Sequence, residues 1–265
     1  MRLNSHIVHN YKVLKRSTAD SQLNAPRRLE TVRHTTLMNE IPQFSDDIEK
    51  YHRRIDINEY DEVYIIGDVH GSRAALEELL ADLGVTDDDL VVFVGDLVRK
   101  GPDSPGVVDI VRRDSRFVSV RGNNEQKIVR GDKDPEWLRD GDKPYFESLP
   151  VAISFDDALV VHGGVDPERP LEDHTLEELL TMRSPHGDGY DGPFWYDNYD
   201  GPYRMFFGHT VHDSPVDRQY AVGLDTGCVY GGALTAYRYC HDDFVATDPT
   251  TTHQERADSK IVTPV

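Results

Sequence analysis

The chain is short of cysteine, of lysine and of long apolar runs, and each shortage removes a class of answer. Two cysteines, Cys228 and Cys240, are too few for a disulfide scaffold. A transmembrane helix needs about 18 consecutive apolar residues, and no run approaches that. The opening MRLNSHIVHN lacks the apolar stretch of a secretory signal. These absences lead us to expect a reduced, soluble, cytoplasmic protein. The lysine shortage belongs to a wider imbalance, because 33 Asp and 15 Glu face 21 Arg and only 8 Lys, for a net charge of −19 over 265 residues. Such a surface repels anionic membranes and nucleic acid, and it stays soluble where salt screens self-repulsion. An Asp-rich, Lys-poor composition suits molar salt, so a halophilic cytoplasm is the expected setting, with an ordinary acidic cytosolic enzyme as the plainer alternative.

The charge is unevenly spread. Residues 1–37 carry seven Arg or Lys and two acidic residues, net +5, which leaves −24 on the rest. This segment reads as a disordered basic arm or as a non-native extension, with Met38 as the true start. Residues 38–246 read as a single domain, since the length suits one large α/β unit and no second apolar core is visible. The tail over 247–265 has no apolar period and is expected to be disordered.

Inside the domain, strand-like runs alternate with helical patterns: EVYIIGD, SRAALEELLADLG, DLVVFVGD, PGVVDIVRRD and FVSVRGN. That order predicts a βαβαβ opening with a partly parallel sheet. In the first helical pattern Leu76, Leu79, Leu80 and Leu83 share a face and Gly84 stops it. Three strands in succession end in Gly beside hard-metal ligands, in IIGDVHG, FVGDLVRKGPDS and VRGNNE. The carboxyl ends of parallel strands lie on one edge, where open α/β sheets bind ligands. Asp68 and His70 can present both side chains to one ion, and Asp96 on the next strand can reach that ion and a second. Asn123 offers a neutral oxygen, and His162 of VVHGG and His209 of FFGHT end two further apolar runs. This mixed O/N set suits two divalent ions of the Mn, Fe or Zn type.

In order, GDVHG, GDLVRKGPDS, RGNNE, HGG and GHT resemble the signature blocks of the calcineurin-like metallophosphoesterases. The branch they resemble holds the serine/threonine protein phosphatases and the symmetrical diadenosine tetraphosphatases (ApaH-like). LDTGCVYGGALTA, and Lys100 where protein phosphatases usually carry Arg, lean to the tetraphosphatase side. The resemblance implies an α/β/β/α sandwich of two mixed sheets flanked by helices. It assigns Asp68 and His70 to one metal, Asp96 to the bridge, and Asn123, His162 and His209 to the other. The reaction it implies is direct attack on phosphorus by a hydroxide bridging two ions roughly 3.5–4 Å apart, without a phosphoenzyme. Mn is the expected metal, with Fe, Zn, Ni or Co as alternatives. Arg99, Lys100 and Arg183 are the candidate cations for phosphate oxygens.

In the relatives the ligand Asn is followed by a His that protonates the leaving oxygen, oriented in protein phosphatases by an Asp. Here those positions hold Asn124 and Arg99. An amide cannot be a general acid, a loss of up to about 10²–10⁴-fold for an alkoxide leaving group. A nucleotide phosphate leaves as a stable anion, so the expected substrates are dinucleoside polyphosphates or other nucleotides. A phosphoprotein substrate is the alternative, with polyphosphate or a 5′-capped RNA also open. A regulatory metal-binding module with weakened catalysis is the rival of another class.

Plainer readings attach to several other residues. His174, His186, His212 and His241 read as surface or satisfied histidines, Asp103 and Ser104 as turn formers, Asp225 as a structural turn residue, and Cys228 as a packed small residue. The aromatic stretch PFWYDNYDGPYRM reads equally as a self-packed surface insertion or as a wall that stacks a nucleobase.

Overall fold

A computed structural model describes residues 11–14, 41–186 and 189–264. Strands β3 (Val63–Ile66), β4 (Leu90–Phe93) and β5 (Phe117–Ser119) run parallel, linked by helices α2 (Arg73–Leu83) and α3 (Ser104–Arg113). This is the expected βαβαβ unit. Beyond β3 the first sheet continues antiparallel through β11 (Leu234–Arg238), β12 (Asp243–Thr247) and β1 (Tyr11–Leu14). The second sheet runs in the order β2 (His52–Arg54), β6 (Ala152–Phe155), β7 (Ala158–Val161), β8 (Arg204–Phe207), β10 (Ala221–Gly223) and β9 (Val216–Asp217). There β7, β8 and β10 are mutually parallel, while β6 and β9 pair antiparallel. Both sheets are therefore mixed.

Alternation along each strand explains the layers. In β3, Val63 and Ile65 meet Ile153, Val160 and Phe206 of the facing sheet, whereas Tyr64 and Ile66 meet Leu76, Leu79 and Val107 of the helices. Both faces of the strand are buried, which is why VYII and LVVF read as unbroken apolar runs. Leu76 and Leu79 are fully buried, each contributing roughly 1.5–3 kcal/mol. Gly84 ends α2 in the left-handed conformation at φ 64°. At the start of α3, Asp103 accepts from Gly106 N at 2.8 Å, so it caps a helix as a turn former should.

The outer face of the second sheet carries the other helical layer, with helices α1 (Asp46–Glu49) and α6 (Leu176–Thr181). Leu159, Val161, Met205 and Phe207 pack there against Ile48, Leu179, Trp195 and Tyr196. Helices α4 (Asn123–Val129) and α5 (Asp142–Ser148) complete the layer on the first sheet. The result is the four-layer α/β/β/α sandwich.

Two segments differ from expectation. The aromatic stretch is core: Trp195 and Tyr196 are buried, Trp195 Nε1 donates to Gly163 O at 3.2 Å, and the Tyr196 ring stacks on Phe207. It is neither a surface insertion nor a substrate wall, because the outer face of the second sheet has too little helix to cover it. The tail is likewise placed rather than disordered as far as Pro264. His253 N and Gln254 N donate to Val229 O, and Val262 N donates to Val211 O at 2.9 Å. A short 3-10 turn covers Asp258–Lys260. Hydropathy registers burial, and this tail is held by backbone bonds to neighbouring loops, so it carried no apolar signal. Of the expected arm or extension over 1–37, Tyr11–Leu14 forms the edge strand β1 on β12. The rest of that segment, and Met38, lie outside the described residues.

Candidate active site

Every candidate ligand sits just beyond the carboxyl end of a strand: Asp68 and His70 after β3, Asp96 after β4, Asn123 after β5, His162 after β7 and His209 after β8. Because β3, β4 and β5 are parallel, and β7, β8 and β10 likewise, both sheets deliver these loops to one edge. The loops are bonded to one another, with His70 N donating to Asp96 O, Gly71 N to Leu97 O and Gly101 N to His70 O, at 2.7–2.8 Å. Seven described non-glycine residues have a left-handed backbone, and five belong here: His70, Asp96, Arg99, Lys100 and His209, with φ from 51° to 71°. Such residues cost on the order of 1–3 kcal/mol each and cluster where function over-determines the backbone. Glycine is required beside them: a Cβ on Gly208 would lie 2.0 Å from Asp68 Oδ1, and one on Gly122 would lie 2.2 Å from Asp96 N.

Glu125 holds this arrangement, and sequence reasoning overlooked it. Its buried carboxylate accepts from Asp96 N at 3.0 Å, Val98 N at 3.1 Å and Gly122 N at 2.8 Å, tying the loop after β4 to the start of α4. Burial, and then the Asp96 charge, push its pKa up to about 7.

The ligand atoms of Asp68, His70 and Asp96 lie within 4.8 Å of one another, all buried. His162 Nε2 is 3.4 Å from Asp96 Oδ1, and its ring centroid is 5.1 Å from that of His209. Nδ1 of His162 is tied to Val94 O at 2.8 Å and Nδ1 of His70 to Val98 O at 3.3 Å, so both Nε2 atoms are offered inwards. His209 Nε2 is buried without a hydrogen-bond partner. Lys100 Nζ stands 2.7 Å from His70 Nε2, a cation where the ring offers its lone pair. Inward-facing acceptors, an orphaned buried nitrogen and an ammonium against a ring nitrogen together fit a divalent ion bound by O and N ligands.

The protonation states agree. Burial, and then Lys100, lower the His70 pKa to about 3; burial, and then Arg183, hold His209 well below its usual value. Both shifts favour the neutral ring, the form a ligand takes. Burial opposes the Asp96 charge, yet His162, His70 and Lys100 hold its carboxyl well below the ordinary range. Asp68 is pushed well up by burial, then by Asp225 and Asp96. Burial opposes the His162 charge, but Asp96, the Val94 carbonyl and Glu125 together raise its pKa, so a proton on that ring and a cation beside Asp96 compete for one place. Asn123 has two orientations. With Oδ1 inward it lies 3.3 Å from His162 Nε2; turned over, its nitrogen donates to Asp96 Oδ2 at 3.0 Å and its oxygen accepts from Lys127 Nζ at 2.8 Å. A cation between Asp96 and His162 requires the first.

Beside this cage opens a cavity of about 270 Å³. Arg99, Lys100, Arg183 and Asn124 line it, and so do Lys127, Tyr190, Tyr230 and Arg256. Five cations thus face one cavity of a protein whose net charge is −19. The paired substitutions touch: Arg99 Nη1 donates to Asn124 Oδ1 at 2.5 Å, and Asn124 Nδ2 donates to Asp96 Oδ2. Of the unabsorbed candidates, Asp225 accepts from Gly227 N at 3.1 Å as a turn residue, and His174 and His212 are buried with hydrogen-bond partners. His186 is exposed, His241 pairs with Glu62, and Cys228 is buried with its thiol pushed up to about 11 by burial. Lys127, four residues after Asn123 on α4, was within reach of a spacing argument. Tyr190 and Arg256 carried no signal, and Tyr230 lay inside LDTGCVYGGALTA without being singled out.

Residues 62–246 match the family profile described as calcineurin-like phosphoesterase. The chain belongs to that family. It is 30% identical over 229 residues to an asymmetrical bis(5′-nucleosyl)-tetraphosphatase PrpE of Halalkalibacterium halodurans, covering 69% of this chain and 92% of the relative. It is 26% identical to serine/threonine-protein phosphatase 1 of Salmonella typhimurium, covering 72% and 97%. A solved structure described as a "putative diadenosine tetraphosphatase" superposes with a TM-score of 0.66 at 31% identity, covering 74% of this chain and 97% of that one. The phosphoesterase is therefore a hydrolase of the metallophosphoesterase type, a family that uses divalent metals. The PrpE relative is named asymmetrical, whereas the motifs resembled the symmetrical branch. Among the described residues no helix is long and apolar enough to cross a membrane.

Proposed function

We propose that this phosphoesterase hydrolyses phosphoric anhydrides of nucleotides, dinucleoside polyphosphates above all, at a two-metal centre. In this reading Asp68 and His70 would hold one ion, Asn123, His162 and His209 the other, and Asp96 would contribute to both. Bound there, the ions would supply Lewis-acid neutralisation of phosphate oxygens and a water acidified towards neutrality. Mn²⁺ is the proposed metal, since carboxylate, amide and imidazole ligands suit it; Fe, Zn, Ni and Co share that ligand preference. The acidic, lysine-poor surface supports a halophilic cytoplasm as the setting.

The observation that carries the substrate class is the Arg99–Asn124–Asp96 chain of hydrogen bonds. Asn124 stands where the relatives keep a proton donor, and both ends of its amide are engaged. It has no proton to give a departing alkoxide. Arg99 instead brings a fixed positive charge to that side, which stabilises a leaving group that departs as an anion. Lys100 and Arg183, on either side of the cage, neutralise the phosphoryl group under attack. A serine leaving from a phosphoprotein needs protonation, whereas a nucleotide phosphate does not.

The test is turnover of diadenosine tetraphosphate and of a phosphoserine peptide, side by side, with Mn²⁺ in molar KCl. We expect kcat/KM on the nucleotide to exceed that on the peptide by about 10²-fold or more, the lower range of lost acid catalysis. Faster peptide turnover would make this a protein phosphatase, the reading the Salmonella relative favours. Metal binding without turnover of either substrate would make it a regulatory module. Products identify the cut: two ADP for a symmetrical enzyme, AMP and ATP for an asymmetrical one.

A further inference from the structure

Contacts around the cavity form an arc that starts and ends at the cage. Lys100 Nζ is 2.7 Å from His70 Nε2 and lies 5.3 Å from the centroid of the Tyr230 ring. The Arg256 guanidinium covers the same ring at 4.7 Å and the Tyr190 ring at 5.4 Å, and it donates to Tyr190 Oη. Arg183 covers Tyr190 at 4.8 Å and donates to His209 O at 3.4 Å, which returns the arc to the cage. Lys100 and Arg183 are one contact from a cage histidine. Arg256 stands at the midpoint, the member of the arc furthest by contacts from His70 and His209.

The tail puts it there. Of residues 251–260 every one is exposed except Arg256, which is half-buried. Its Nε donates to Lys260 O at 2.8 Å, and the tail is pinned on either side by His253 and Gln254 to Val229 O and by Val262 to Val211 O. Two tyrosines, both carrying cations on their rings, hold the guanidinium facing a cavity that also contains Asp96. A planar guanidinium presents a fork of donors that matches phosphate oxygens.

We infer that Arg256 is a specificity-determining residue that binds the phosphates beyond the scissile one, so that the C-terminal tail selects polyphosphate chains over monophosphate esters. This deepens the anhydride reading and rests on it. A monophosphate ester engaged at the cage meets Lys100 and Arg183 but offers nothing at the midpoint of the arc. A chain of phosphates extends from the cage to that midpoint and gains the charge-assisted contacts there. Such contacts are worth about tenfold in affinity each.

The experiment compares full-length wild-type protein with Arg256→Gln and Arg256→Lys on two substrates, diadenosine tetraphosphate and p-nitrophenyl phosphate, with Mn²⁺. For Arg256→Gln we expect KM for the tetraphosphate to rise about tenfold, with kcat within about twofold and kcat/KM on the monoester unchanged. Arg256→Lys, which keeps charge without the fork, is expected to recover part of the loss. Equal losses on both substrates would overturn the inference by making Arg256 part of the general phosphate site. Unchanged tetraphosphate kinetics in both variants would overturn it too, and would leave the anhydride reading standing. Wild-type protein that hydrolyses the monoester but not the tetraphosphate would remove the anhydride reading and this inference together.

Discussion

The cage side of the cavity and its tyrosine side are made of different material. Asp68, His70, Asp96, His162 and His209 are buried, stand at strand ends of two facing sheets, and are tied to one another's loops by backbone bonds. Tyr190, Tyr230 and Arg256 are half-buried and come from a loop, a 3-10 turn and the tail, joined chiefly by cation–ring contacts. Cation–π contacts at such exposure are worth about 0.5–1 kcal/mol each, far less than the cost of disturbing a buried carboxylate. In the proposed reading this contrast is a division of labour, with the reaction placed on buried strand ends and selectivity on half-buried loop and tail residues.

Substitutions can break that division, the largest effect first. Asp96→Asn removes the charge that faces both His70 and His162, so metal content by elemental analysis and hydrolysis are both expected to fall to background. An active Asp96→Asn protein would refute the ligand assignment. Next is Glu125→Ala, which leaves the buried N–H groups of Asp96, Val98 and Gly122 without their acceptor. At about 1 kcal/mol or more for each orphaned group, denaturant unfolding should show a loss of at least roughly 3 kcal/mol. No loss would mean that the loop after β4 is held by something else.

On the half-buried side of the cavity the effects shrink. Lys127→Ala, at the half-exposed margin of the cavity, is expected to raise KM for nucleotides about fivefold, on the order of 1 kcal/mol, without changing the unfolding midpoint. A fall in kcat alone would place Lys127 in the chemistry instead. Smallest of all is a surface feature of the helix that precedes Arg183. Burial opposes the Glu178 charge, but hydrogen bonds from Thr175 and Arg169 lower its pKa from 4.5 to about 2. Its folded pKa lies below its unfolded value, so its contribution is whole above about pH 4.5 and is lost as pH falls towards 2. Glu178→Gln should flatten the acid side of the stability profile over that window; an unchanged slope would show that the cap and ion pair contribute nothing.

Legibility in the sequence followed the same division. The candidate ligands stood out because each sits where an apolar strand run meets glycine, and strand polarity places those strand ends on one edge. The two sheets were readable from apolar runs that alternate between two buried faces, although their pairing order was not, since β11 joins β3 from more than 160 residues away. On the tyrosine side only Tyr230 lay within a quoted motif, LDTGCVYGGALTA. Tyr190 lies in a glycine- and aspartate-rich loop, and Arg256 in a tail with no apolar period, so neither hydropathy nor motif marks them. The aromatic stretch misled for the opposite reason, because its composition suggested a ligand wall while Trp195 and Tyr196 were needed to close the second sheet. Glu125 stood in plain view within RGNNE, but its role depends on three backbone N–H groups, two of them nearly 30 residues away.

In the proposed reading Asn124, bridged between Arg99 and Asp96, biases the centre towards leaving groups that need no proton. The direct measurement is the ratio of kcat/KM on diadenosine tetraphosphate to kcat/KM on a phosphoserine peptide, in wild-type protein and in Asn124→His. Restoring an acid at that position should raise peptide turnover by up to about 10²–10⁴-fold and nucleotide turnover much less, so the ratio falls. A ratio that stays constant, through equal gains or none, would contradict the account.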